Sequence, residues 1–177
     1  MQIKTNEDKY GVVRKANHWV VAIMFIALLG VGVYMTNIPA SDLKWELYGM
    51  HKSFGVLITL FIAFRLIWLK FDNRMDNSKL TKLERIGSAS IHGLLYLLML
   101  IMPISGMLMS MAHGYQVKVF NLFALPMLVN KSDYLASLMG SIHFYAGYFA
   151  IGLVVVHILA SLFHHFVKKD GILRRMI

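Results

Sequence analysis

Apolar residues fall into four long runs, at positions 16–36, 48–69, 86–111 and 135–166, separated by stretches that are mostly short or polar. Each run holds about 20 residues or more, the length a helix rising 1.5 Å per residue needs to cross a hydrocarbon core about 30 Å thick. The pattern predicts an all-α protein, a bundle of four transmembrane helices. The first run has a charged lead and small residues after it, as a secretory signal does, but its length suits a spanning helix better. His18 and Trp19 open it near an interface, where tryptophan is a common anchor. Gly30 and Gly32 lie further along and leave room for a neighbouring helix or a flat cofactor.

Positions 37–49 read as a loop with Pro39 as its breaker. Thr81-Lys82-Leu83-Glu84 has the spacing of a capping box, so the third helix is expected to begin there and enter the membrane near Ile86. Pro103 is expected to kink it. The connection 112–134 is the longest and partly apolar (VFNLFALPMLV); it is expected to fold over the bundle mouth as a short interfacial helix.

Composition sharpens this picture. With 177 residues, 58% hydrophobic, 15% charged and a mean hydropathy of +0.60, the chain carries more apolar surface than a soluble domain could hide. It is also too short for a further domain beside the bundle, so 1–177 is read as one integral-membrane unit in contact with lipid. The net charge of +9 and pI near 9.8 would suggest nucleic acid in a soluble protein. Here the positive residues mark one membrane side, and no nucleic-acid partner is expected. Thirteen Lys and Arg lie at one level: Lys4, Lys9, Arg14 and Lys15; Lys70, Arg74, Lys79, Lys82 and Arg85; Lys168, Lys169, Arg174 and Arg175. Four lie at the other: Lys44, Lys52, Lys118 and Lys131. Both termini are therefore expected in the cytoplasm. Cysteine is absent, which excludes disulfides, thiolate-held iron–sulfur clusters and covalent c-type haem. Asp and Glu are absent from the four runs, so nothing there would relay pumped protons.

Eight histidines remain to be explained. His143 and His157 are 14 positions apart in the fourth run. At about 100° per residue they fall about 40° short of four full turns, on nearly one helix face, about 21 Å apart along the axis. With the helices alternating in direction, His51 shares the outer level with His143. His157 shares the inner level with both His18 and His92, and depth alone does not choose between them. His113 falls in an outer loop, and His164 and His165 at the inner end of the last helix.

A buried imidazole in hydrocarbon needs a partner, and two facing each other across a bundle can ligate a metal between them. Two imidazoles make a poor zinc site, which takes four ligands. A haem iron already has four nitrogens and needs only two axial ligands; with both filled, electron transfer is favoured over oxygen chemistry. Arg65, near the end of the second run, is a candidate partner for a haem propionate. Met107, Met109 and Met111 are spaced i, i+2, i+4 and do not line one helix face, so they are no copper ladder.

The residues carrying this argument also form a set. Asn17-His18-Trp19, Met50-His51-Lys52-Ser53-Phe54-Gly55, His92-Gly93-Leu94-Leu95-Tyr96, Ile142-His143 with Gly147-Tyr148, His157 with His164-His165-Phe166, and the tail Lys169-Asp170-Gly171-Ile172-Leu173-Arg174-Arg175-Met176 stand in order over nearly the whole chain. In these the chain resembles the bacterial cytochrome b561 family, four-helix dihaem cytochromes of the inner membrane. The resemblance implies a multi-pass inner-membrane protein with two b haems, the inner between His18 and His157, preferring His18 to His92, and the outer between His51 and His143. It also implies electron transfer between a periplasmic one-electron donor, superoxide in some members or a small redox protein, and the quinone pool, with ubiquinone as substrate. Two other readings are expected to compete. One is a cytochrome b anchor that docks a dehydrogenase or redox protein on the apolar loop 119–129; the other is a histidine-rich metal transporter.

Overall fold

A computed structural model describes residues 2–7, 9–73, 75–76 and 80–177. Arg74 and Lys79, counted above toward the basic segment, lie outside the described residues. Four helices account for most of the chain: α1 (Val12–Asn37), α2 (Asp42–Phe71), α3 (Lys82–Ala112) and α4 (Asp133–Phe163), the last extended by a π-helical turn, His164–Lys168. All four are long and apolar enough to cross a membrane.

Side-chain caps set the starts of α2, α3 and α4. Ser41 accepts from the Lys44 amide and Ser132 from the Leu135 amide, each satisfying a first-turn donor that has no helical partner, with Asp42 and Asp133 against the positive helix end. Thr81 and Glu84 form the expected capping box. The α1–α2 connection is much shorter than expected: residues 42–49 are already helical, leaving only 38–41 between the helices. Lys44 and Glu46 interrupt the apolar run there without interrupting the helix, because the Ser41 cap fixes its start upstream. Pro103 lies within α3, which stays helical on both sides of it.

The connection 112–134 is not the interfacial helix expected. It forms a two-stranded antiparallel hairpin, β1 (Lys118–Val119) with β2 (Phe123–Ala124). Phe120 and Asn121 turn it with φ of 48° and 57°, a left-handed pair that a continuing helix excludes.

The helices pack chiefly as two pairs, α1 with α2 and α3 with α4, while α1 and α4 barely touch. Val21, Phe25, Leu29, Ile58, Ile62, Leu98, Met99 and Ala150 make the common core. Much of the remaining surface is exposed apolar side chain, as a lipid-facing wall requires. At the end carrying both termini, polar groups knit the segments together. Thr5 donates to Asp72 through its amide (2.7 Å) and hydroxyl (2.6 Å), and Arg14 pairs with the same carboxylate at 3.3 Å. Trp19 Nε1 and Lys15 Nζ donate to the carbonyls of Met176 and Ile177, and Lys168 pairs with Glu84.

Candidate functional site

The core lies between two levels of histidine. On the level away from the termini, His51 of α2 faces His143 of α4, ring centres 6.3 Å apart and planes at 84°. On the level near the termini, His18 of α1 faces His157 of α4 at 6.4 Å and 61°. Two imidazoles on opposite sides of one metal, each bond about 2.0–2.1 Å and each nitrogen about 1.2 Å from its ring centre, stand about 6.4 Å apart. Both pairs have that spacing. His92 of α3 also reaches His157, but at 5.5 Å, too close for a metal held in line between them.

The outer pair borders a cavity of about 260 Å³ lined mainly by apolar groups from all four helices. Glycine forms the walls nearest the rings. A Cβ at Gly106 would lie 2.9 Å from His143 Cε1, and one at Gly32 would lie 3.5 Å from His51 Cε1. His143 Nδ1 is 2.9 Å from the Met102 carbonyl and 3.1 Å from Ser105 Oγ. The carbonyl can only accept, so Nδ1 carries the ring proton and Nε2 keeps a free lone pair, the form in which histidine ligates a metal. Nδ1 of His51 is buried without a partner among the described residues. An orphaned imidazole nitrogen, an apolar slot and glycine walls fit a flat iron macrocycle with two axial histidines.

The inner pair is held differently. Arg65 places NH2 3.3 Å from His18 Nδ1 and donates through Nε to the Tyr96 hydroxyl at 3.2 Å. A guanidinium only donates, so this contact makes His18 Nδ1 the acceptor and leaves the proton on Nε2, the opposite tautomer from His143. Arg65 NH1 is buried and has no partner among the described residues, a donor whose acceptor an anionic group would supply. The carboxylate of a macrocycle would give that donor its acceptor, and His18 could ligate through Nε2 only if that nitrogen gave up its proton. His92 is turned toward Ser88, its Nδ1 3.3 Å from the hydroxyl.

The other histidines stand apart. His113 ends α3 and is exposed; His164 binds Asp170 at 2.5 Å, and His165 stacks edge-on with Phe166. Among the described residues no three His, Asp or Glu side chains gather as a site for a bare metal ion. Sequence reasoning missed Gly106, Ser105 and the Met102 carbonyl, and gave Tyr96 no role beyond its place in a motif. None carries a signal of its own, since each matters only because another helix brings an imidazole or guanidinium against it.

Comparison with known proteins gives one family. The family model described as prokaryotic cytochrome b561 matches residues 9–177. Cytochrome b561 homolog 2 of Escherichia coli (strain K12) is 29% identical over 180 residues, covering 100% of this chain and 95% of that protein. The probable superoxide oxidase CybB of Yersinia pestis is 29% identical over 174 residues, covering 96% of both.

Proposed function

The chain belongs to the prokaryotic cytochrome b561 family, and from that premise we propose that it carries electrons across the inner membrane through two b haems, from a periplasmic one-electron donor to the quinone pool. Membership alone makes it a multi-pass protein of the bacterial inner membrane that binds haem b and transfers electrons. The dihaem reading rests on one observation above the rest: α4 presents two histidines 14 residues apart, and each meets a partner at the spacing of a metal-bridged pair, 6.3 and 6.4 Å.

In this proposal His51 and His143 would hold the outer haem and His18 and His157 the inner one, with the termini in the cytoplasm. Haem held there would supply a reversible one-electron change. The protein's own groups do the rest. Met102 and Ser105 fix the His143 tautomer, Arg65 holds a propionate of the inner haem, and the apolar core keeps water out between the two levels. Lys52 lines the outer cavity and places a cation where an anionic donor would approach.

Superoxide is the proposed donor. The name carried by the Yersinia relative supports it, as does the Lys52 position. Two superoxide ions each give up one electron and leave as oxygen, and one ubiquinone takes both electrons with two protons and becomes the quinol.

Haem counted by pyridine haemochrome in the purified protein and its variants tests the ligand set. Two b haems per chain are expected in the wild type and in His92→Ala, and one each in His18→Ala, His157→Ala, His51→Ala and His143→Ala. Loss in His92→Ala with retention in His18→Ala would move the inner site between α3 and α4, and a colourless wild type would end the redox reading. Stopped-flow mixing with superoxide tests the donor: haem reduction no faster than spontaneous dismutation removes superoxide from the scheme.

A further inference from the structure

The hairpin between α3 and α4 has two unlike faces. Val117 and Val119 are 1% and 6% exposed, and Val117 closes one side of the outer cavity. On the other face Phe120 is 41%, Phe123 57% and Leu122 81% exposed. Read as sequence, this apolar stretch is a docking surface for a redox partner. Its depth points elsewhere.

The hairpin does not stand on top of the bundle. Its turn is fastened to the flank of α2, where Ser53 Oγ accepts from the Phe120 amide at 2.9 Å and lies 3.3 Å from the Lys118 carbonyl. Ser53 is 11 residues inside α2, about 16 Å below its first residue along the axis. Counted from the other end, it is 17 residues above Lys70, where the basic segment begins, or about 25 Å at 1.5 Å per residue. A hydrocarbon core about 30 Å thick that starts at Lys70 therefore still surrounds Ser53 and the turn it holds.

The backbone agrees with that depth. Irregular chain survives in hydrocarbon only where its polar groups find partners within the protein. Ser53 supplies one for the Phe120 amide, the Leu122 amide donates to Val119 and the Leu125 amide to Val117, both at 2.9 Å. The exposed side chains continue an existing lipid surface. Phe120 meets Phe54 edge to face at 5.1 Å, and Phe54 belongs to the exposed stripe Met50, Phe54, Leu60, Phe64 and Ile67 of α2. Exposed Trp45, Tyr115 and Tyr134 lie toward the same end of the molecule, the residue types that gather at a bilayer boundary.

We propose that the turn of the 117–125 hairpin is a lipid-facing element, its Phe120, Leu122 and Phe123 side chains embedded in acyl chains of the outer leaflet while Val117 walls the outer cavity. It is then closed to a soluble partner, and the way to the outer cavity from the aqueous side runs past other loops.

The absence of native cysteine allows each position to be labelled alone. Haem-loaded Leu122→Cys and Phe123→Cys, carrying a bimane label in liposomes, would be quenched with nitroxide-bearing lipid and separately with aqueous iodide. Leu60→Cys gives the lipid reference and His113→Cys the aqueous one. Quenching at 122 and 123 is expected to follow Leu60, several-fold stronger from lipid than at His113 and several-fold weaker from iodide. Quenching like that of His113 would overturn the proposal by placing the hairpin in water. Protection from both quenchers would overturn it by placing another protein on that face. Leu122 is 81% exposed, so its replacement removes little packing, and unchanged haem content would confirm an intact fold.

Discussion

Gly106 matters at the residue scale because of what it lacks. A methyl group there would sit 2.9 Å from His143 Cε1, closer than carbon atoms tolerate, and that imidazole is already tied to Met102 and Ser105. The ring has little freedom to retreat. On the proposed dihaem reading, Gly106→Ala is therefore expected to cost the outer haem while sparing the inner one, about 20 Å away along α4. Haemochrome counting should fall from two per chain to one, with the protein still folded by circular dichroism; an unchanged count would mean that the ring gives way. The histidines were legible in sequence because depth follows from counting along a helix. Which imidazole faces His157 was not, because that depends on how α1 and α3 are rotated and how closely they approach α4, as the separations of 6.4 Å for His18 and 5.5 Å for His92 illustrate. Gly106 gave no warning for the same reason.

Among the elements, the helices were legible and the connections less so. Four apolar runs translate into four helices because twenty residues in hydrocarbon have few other ways to satisfy their backbone. Loop 112–134 failed as a helix for a local reason: a left-handed pair at Phe120 and Asn121, stabilised by Ser53 from a helix some 65 residues earlier, is invisible to any count of apolar positions. The N-terminal latch is of the same kind. Burial alone would raise the Asp72 pKa, but hydrogen bonds from the Thr5 hydroxyl and amide, with Arg14 alongside, outweigh it and hold the carboxyl below the usual range. A depressed pKa means that the ionised form favours the folded state, so the latch contributes its full stability above the ordinary carboxylate range, about pH 4, and loses it as pH falls through the lower, folded value. Hydrogen exchange at residues 2–7 should thus stay slow, after correction for intrinsic rates, from pH 7 to about pH 5 and become much less protected toward pH 3. In Asp72→Asn protection should already be reduced at pH 7 and change little with pH. A wild type equally protected at every pH would contradict this account.

For the whole molecule, the two histidine levels and the distribution of positive charge bear on one question, the direction of electron flow. The outer level joins α2 to α4 and the inner joins α1 to α4, so α4 is the shared rail, and the core of Val21, Phe25, Ile58, Ile62 and Ala150 fills the space between them. Counted along the sequence, thirteen Lys and Arg flank the runs on the side of the termini against four on the other, and in the proposed topology that side is the cytoplasm. An impermeant reductant outside right-side-out membrane vesicles should then reach the outer haem first and fill the inner one through it. The wild type is expected to show the full reduced-minus-oxidised absorbance, and His18→Ala about half of it, at an undiminished initial rate. His51→Ala is expected to show almost none, because its remaining haem lies on the far side. A C-terminal green fluorescent protein fusion, fluorescent only when it folds in the cytoplasm, checks the orientation independently. If the fusion glows and His51→Ala is nonetheless reduced from outside as fast as the wild type, the inner haem has its own access to that face and the two sites do not act in series. If His18→Ala, rather than His51→Ala, is the variant that stays dark, electrons enter at the level of the termini and the assignment of the two haems to donor and quinone must be exchanged.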